Sequence, residues 1–248
     1  MNKYYIYSNQ TDQLMQTYTI ELLSSEWNRN TLVSLIVILA FLWVGKKSSQ
    51  KFNLLLAKRI ALFLALIYLV ENSRYLINGT WNLADNLPLQ LCSISRILCC
   101  FVFFIPKKQT VFELLFFFGI VGGLQSIFTP QINHYDGGLF HYFEYYFSHL
   151  VIISMPIFMY LYLGFELKKN SWLKSFLVIN LLLVIIMPLN FYLDANYMYL
   201  NAPPKIDNPF IIGDWPYYLV VLEFFAAGLF YLTYRLFLLS KTKQIQLN

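Results

Sequence analysis

Residues 171–193 read SWLKSFLVINLLLVIIMPLNFYL, twenty-three residues in which Lys174 is the one charged side chain. At 1.5 Å per residue such a helix runs ~35 Å, enough to cross the ~30 Å hydrocarbon core of a bilayer. A barrel strand would alternate apolar and polar residues, and this stretch does not. The same reading extends outward in both directions. Apolar runs over roughly 30–45, 54–71, 87–105, 110–128, 143–165 and 215–238 bring the number of expected spans to seven. The fold class predicted is all-α, a polytopic transmembrane helical bundle.

The composition supports this. Of 248 residues, 58% are apolar, 19% aromatic and 12% charged, with a mean hydropathy of +0.53. A soluble domain carries about a quarter of its residues as charges, so a water-facing surface cannot be built from this chain. No repeat, low-complexity tract or extramembrane domain is visible. The division expected is an extracytoplasmic segment at 1–29, one seven-helix domain at 30–240 and a cytoplasmic tail at 241–248.

Charge sets the expected orientation. Segments 46–59, 106–109, 166–174 and 235–248 hold thirteen of the eighteen Lys and Arg, including Lys241 and Lys243, whereas the alternate connections hold Lys3, Arg29, Arg74 and Lys205. By the positive-inside rule the N-terminus lies outside and the C-terminus in the cytoplasm of a multi-pass cell-membrane protein. Most acids, among them Asp12, Asp85, Asp136 and Asp207, fall on the outer side. The net charge of +5 follows from this topology, so nucleic acid is not an expected partner; membrane lipids are.

The three cysteines, Cys92, Cys99 and Cys100, lie in one apolar span, which implies neither a disulfide framework nor zinc spacing. No dinucleotide, phosphate-cradling or nucleophile-elbow motif is present, and no cofactor is expected. A metal site would require His134, Asp136, His141 and His149 to converge, although no spacing among them is a known ligand pair.

Three ionisable residues, Arg96, His149 and Glu223, fall inside apolar spans, where such groups usually face the bundle interior and mark function. Counted from the outer end of each span they lie ~13, ~9 and ~12 Å deep, which places them in the outer half of the bundle and leaves the inner half nearly free of charge. Cys92, Arg96 and Cys100 share one helical stripe, and Tyr142, Tyr145, Tyr146 and His149 another. Gly119, Gly122 and Gly123, and separately Ala226, Ala227 and Gly228, would let neighbouring helices approach closely. Structural readings stand beside the functional one: an Arg96–Glu223 ion pair, a hydrogen-bonded core His149, an interhelical Gln90, and cysteines that only pack. Taken jointly, the pattern suits chemistry on an amphipathic or lipid substrate. His149 would serve as base, Arg96 and Gln90 would stabilise developing negative charge, and Glu223 would orient a partner. Cys92, Tyr146, Gln125, Asn190, Asn196 and Tyr197 are the candidate substrate contacts.

The motifs Leu87-Pro88-Leu89-Gln90-Leu91-Cys92-Ser93-Ile94, Tyr146-Phe147-Ser148-His149 leading to Met155-Pro156-Ile157, Asn196-Tyr197-Met198-Tyr199-Leu200 with Pro203-Pro204-Lys205, and Trp215-Pro216-Tyr217-Tyr218 with Glu223 resemble the YwaF family of bacterial integral membrane proteins over roughly 60–235. That resemblance implies no assigned activity. It extends distantly to a eukaryotic transmembrane family of phospholipid acyltransferases, which implies a histidine at His149 and a nucleophile near Pro88. The chain departs there: the family commonly has His where Gln90 stands, and the acyltransferase relatives place their cysteine where Leu89 stands. Three functions remain open at this point: lipid-directed acyl transfer or hydrolysis, transport or small-molecule binding through the same cluster, and a scaffold whose polar cluster is structural.

Overall fold

The computed structural model describes residues 16–206 and 208–246, with side chains from Thr17 through Leu239. Lys3, Asp12 and Asp207, and the side chains of Lys241 and Lys243, lie outside the described residues. Seven α-helices are present among the described residues: α1 (Ser25–Lys47), α2 (Gln50–Ile77), α3 (Leu91–Phe101), α4 (Lys108–Phe128), α5 (Leu139–Tyr162), α6 (Ser171–Leu193) and α7 (Tyr217–Gln246). Six are long and apolar enough to cross a membrane. The all-α polytopic bundle is therefore the observed architecture.

Several helices outrun their apolar runs because capping, rather than hydropathy, sets their ends. The Ser24 and Ser49 side chains accept hydrogen bonds from Trp27 N (3.1 Å) and Phe52 N (3.3 Å), starting α1 and α2 about four to five residues earlier than hydropathy suggests. α2 continues for 28 residues, ~42 Å, so its last turns stand above the hydrocarbon.

The third span differs most from expectation. Its apolar run covers 87–105, yet α3 has 11 residues, ~16 Å of helix, about half a hydrocarbon core. Pro88 and Pro106 bracket it, and residues 102–107 complete the crossing as turns. Where this irregular backbone leaves the helix it is enclosed by protein, with Val102 and Phe103 buried, whereas Phe104 beyond them is half exposed.

α4 is the hub of the bundle. Phe112 and every residue from Leu115 to Gly123 are buried. The small residues at 119 and 123 act as expected: a Cβ at Gly119 would collide with the Ile152 carbonyl, and one at Gly123 would meet the Ile153 side chain at 2.5 Å. The second small-residue patch does not: a Cβ at Gly228 would meet nothing within 4 Å, because that side of α7 faces outward.

The connections segregate to the two ends of the bundle. At one end, β1 (Gln16–Thr19) pairs antiparallel with β2 (Gln131–Tyr135), with Tyr18 opposite Ile132. Trp27 Nε1 donates to Phe128 O (2.8 Å), Arg74 pairs with Asp136 (2.9 Å), Tyr197 Oη donates to Leu83 O (2.8 Å) and Lys205 N donates to Gln131 Oε1 (2.8 Å). Four polar segments thus interlock into one cap. At the other end, Gln109 Nε2 donates to Glu166 O (2.6 Å) and Asn53 Nδ2 to Gly45 O (2.9 Å). This is the same two-way grouping of connections that the basic residues mark. The cap's strands are too short, at four and five residues, to stand out in the sequence.

Candidate functional site

Beneath the cap lies a cavity of about 860 Å³, walled by α2 through α7. Gln90, Cys92, Arg96, Gln125, His149 and Glu223 all line it. Its charged centre is Arg96, whose side chain is 11% exposed. One guanidinium nitrogen, Nη1, donates to Glu71 on α2 at 2.9 Å and to Glu144 on α5, and the guanidinium carbon stands 4.5 Å from the Tyr68 ring centre. The partners of Arg96 are therefore Glu71 and Glu144, in place of the Glu223 considered from sequence. Two carboxylates around one guanidinium satisfy a charge that would otherwise be prohibitive at this depth. They also tie the short α3 to the two long helices beside it.

Glu144 was missed because hydropathy puts the start of the span at residue 143, whereas α5 begins at Leu139. The carboxylate therefore sits more than a turn inside the helix. The depth of Arg96 was the available signal, since a buried cation demands acids on the helices packed beside it. A second buried carboxylate corrects the expectation of an inner half almost free of charge. Glu113, near the start of α4, is 7% exposed and accepts from Gln109 Nε2 and Lys168 N, each at 3.1 Å.

His149 is buried on α5. Its Nδ1 lies 2.6 Å from the Tyr145 carbonyl and its ring 4.3 Å from the Tyr145 ring centre. Because that carbonyl can only accept, Nδ1 carries a hydrogen, so in the neutral ring the lone pair is on Nε2. Cys92 Sγ is 3.2 Å from Ser126 Oγ, which donates to Gly122 O at 3.0 Å. Tyr145 Oη donates to Ser126 O (2.7 Å), locking the α4 wall to the α5 wall. Gln90 accepts from Met198 N at 2.8 Å through Oε1, and Glu223 lies beside the Asn180 amide.

The remaining candidates do not reach the cavity. Tyr146 accepts from Asn30 Nδ2 (2.8 Å) on the α1 side, so the tyrosine stripe of α5 divides: Tyr145 and His149 face the cavity, while Tyr142 and Tyr146 face α1. There Glu26 accepts from Tyr142 (2.7 Å) and from Tyr18 (2.8 Å), and the bond to Glu26 pushes the Tyr18 phenol up to about 12. Asn190 clamps the Tyr197 backbone through two bonds, at 2.9 and 3.0 Å, and Asn196 caps Asn201 and Ala202. These are cap-building contacts. Of the four groups considered for a metal, Asp136 and His141 meet at 3.5 Å, and His149 lies two turns deeper on α5. Among the described residues, no trio of His, Cys, Asp or Glu is placed to hold a metal ion.

Fold and cavity together define a polytopic helical membrane protein with a charged intramembrane site under a polar cap. The model of the TMEM164 family matches residues 21–234, and the chain belongs to that family. No curated protein and no solved structure matches it.

Proposed function

We propose that the cavity binds a membrane lipid at the outer leaflet and that His149 acts as general base on its ester, in acyl transfer or hydrolysis. The supporting observation is that the His149 imidazole, the Cys92–Ser126 thiol–hydroxyl pair, the Gln90 amide and the Arg96–Glu71–Glu144 cluster line one cavity that also has a long apolar stretch of wall. The positive-inside charge pattern favours placing the capped end outside, in the cell membrane. The resemblance to the YwaF family, and through it to phospholipid acyltransferases, points the same way.

In this reading the imidazole Nε2 takes the proton of the attacking hydroxyl: water in hydrolysis, a lipid alcohol in transfer. A C–O bond forms to the ester carbonyl as the proton leaves. Collapse of the tetrahedral adduct breaks the original ester C–O bond, and the imidazolium returns the proton to the departing alkoxide. Gln90 still has its amide N–H groups to donate to the carbonyl oxygen. Arg96, already balanced by two carboxylates, holds the wall in place and lends its remaining N–H groups. Glu223 orients the lipid from the opposite wall.

The test is His149→Ala with lipid composition followed by mass spectrometry. The expected result is a loss of one remodelled lipid class with thermal stability retained. An unchanged lipidome refutes the enzymatic reading. The alternative, a transporter or small-molecule-binding membrane protein, takes its place if the same variant instead abolishes uptake in reconstituted vesicles.

A further inference from the structure

α4 and α7 meet at the end of the bundle away from the cap and part towards it. At the far end their aromatic side chains interlock: Phe117 and Phe230 stack with centres 5.5 Å apart, and Phe116 meets Phe237 edge-on at 4.9 Å. Two turns closer to the cap, the most buried helix of the protein becomes exposed. Leu124 is 51% exposed, and across from it on α7 Phe225 and Leu229 are 39% and 40% exposed. All three also line the internal cavity. Side chains that belong to both the outer surface and the inner wall mark an opening, and this one lies at the hydrocarbon level of two spanning helices. An aromatic bridge crosses it: Phe210, from the α6–α7 connection, reaches Phe128 on α4 at 6.0 Å and Phe225 on α7 at 5.4 Å.

The cavity is also polarised along its length. On α7 its lining runs from Leu219 to Thr233, ~21 Å of helix, longer than half a hydrocarbon core. The charged groups Glu71, Arg96 and Glu144 lie toward the cap. Away from it Val121, Ile152, Ile179, Leu229 and Phe230 make up most of the wall, interrupted by Asn180 and Thr233. A slot with a charged end, an oily end and a side door at bilayer depth matches one membrane lipid entering sideways.

We propose that the cleft between α4 and α7 is a lateral portal through which the acyl chain of a membrane lipid enters and lies against Leu124, Phe225 and Leu229, with Phe210 as its gate. The proposal rests on the reading of the cavity as a lipid site, but it concerns occupancy and route, and is tested without any reaction. The full chain is reconstituted in vesicles containing phosphatidylcholine with a diazirine in its acyl chain, irradiated, and its adducts mapped by mass spectrometry. Adducts should concentrate on Leu124, Phe225 and Leu229. Leu229→Trp, which fills the slot, should reduce labelling at Leu124 severalfold. Phe210→Ala, in a connection outside the helices, should raise cleft labelling severalfold, which keeps the test sound if the tryptophan variant fails to fold. Labelling confined to the outward faces of α1 and α6, at residues such as Leu35 and Leu181, overturns the portal, as does cleft labelling that neither variant changes. His149→Ala should leave cleft labelling intact. If it does so while the lipidome is unchanged, the chemistry proposed above fails and the portal stands. A lipidome altered by His149→Ala without cleft labelling does the reverse.

Discussion

The two ends of this bundle use the same helices for opposite purposes. Away from the cap, α4, α5 and α7 pack phenylalanine against phenylalanine, with Phe112, Phe116, Phe117 and Phe158 wholly enclosed. Under the cap α5 and α7, joined by the short α3, carry Glu144, His149, Glu223 and Arg96 around open volume. In lipid, burying apolar surface between helices gains little from water, so the phenylalanine end is held by close packing and the other by charge pairing and hydrogen bonds. Close packing is thus concentrated at one end, leaving the other free to keep a cavity.

That contrast can be broken in a definite order. Arg96→Met should be the most damaging change. It leaves Glu71 and Glu144 facing each other unpaired and should cost about 3–5 kcal/mol, read as thermal unfolding in detergent; a variant as stable as the parent would show that the ion triad is not structural. Next, Gly119→Val drives a side chain into the Ile152 carbonyl and should cost about 1–3 kcal/mol as overpacking in the rigid half. In the cap, Asn190→Ala removes both bonds to the Tyr197 backbone and should cost about 1–3 kcal/mol, with faster proteolysis of the 194–216 connection as the more direct signature. The smallest effect belongs to the cap surface. Burial pushes the Asp136 carboxyl up, but the Gly138 N–H at 2.8 Å, then His141 and Arg74, outweigh it and hold the group below the usual carboxylate range. A depressed folded-state value stabilises above the unfolded value of about 3.9 and is lost as pH falls through the folded one. Asp136→Asn should therefore flatten stability against pH only below about pH 4, by less than about 1 kcal/mol given its partial exposure.

Much of the fold was legible because lipid imposes long apolar runs and a charge asymmetry at their ends. Residues 171–193 form the same helix in sequence and structure. α3 was overextended because hydropathy registers burial and not backbone regularity: Val102 and Phe103 are as apolar as any helical residue, yet they occupy turns. The β1–β2 pairing was invisible, since two strands of four and five residues far apart in the chain carry no local period. For the site, sequence gathered Gln90, Cys92, Arg96, Gln125, His149 and Glu223 near one depth, but depth alone cannot say which way a residue points around its helix. Tyr146 shares the depth of the cavity groups and faces α1 instead. Glu144 failed for the opposite reason, because an acid near the end of an apolar run reads as a loop residue.

The pairing of β1 with β2 also orders assembly in time. Tyr18 leaves the ribosome about 110 residues before Ile132, its partner in the sheet, an interval of roughly 6–20 s at ordinary elongation rates. During that interval α1 to α4 must already be threaded through the bilayer while β1 waits without its strand. Lys205, which bonds Gln131 from the other side, arrives later still. The cap thus closes late, only after α5 and α6 have been made, and until then the nascent bundle stands with its charged interior uncovered.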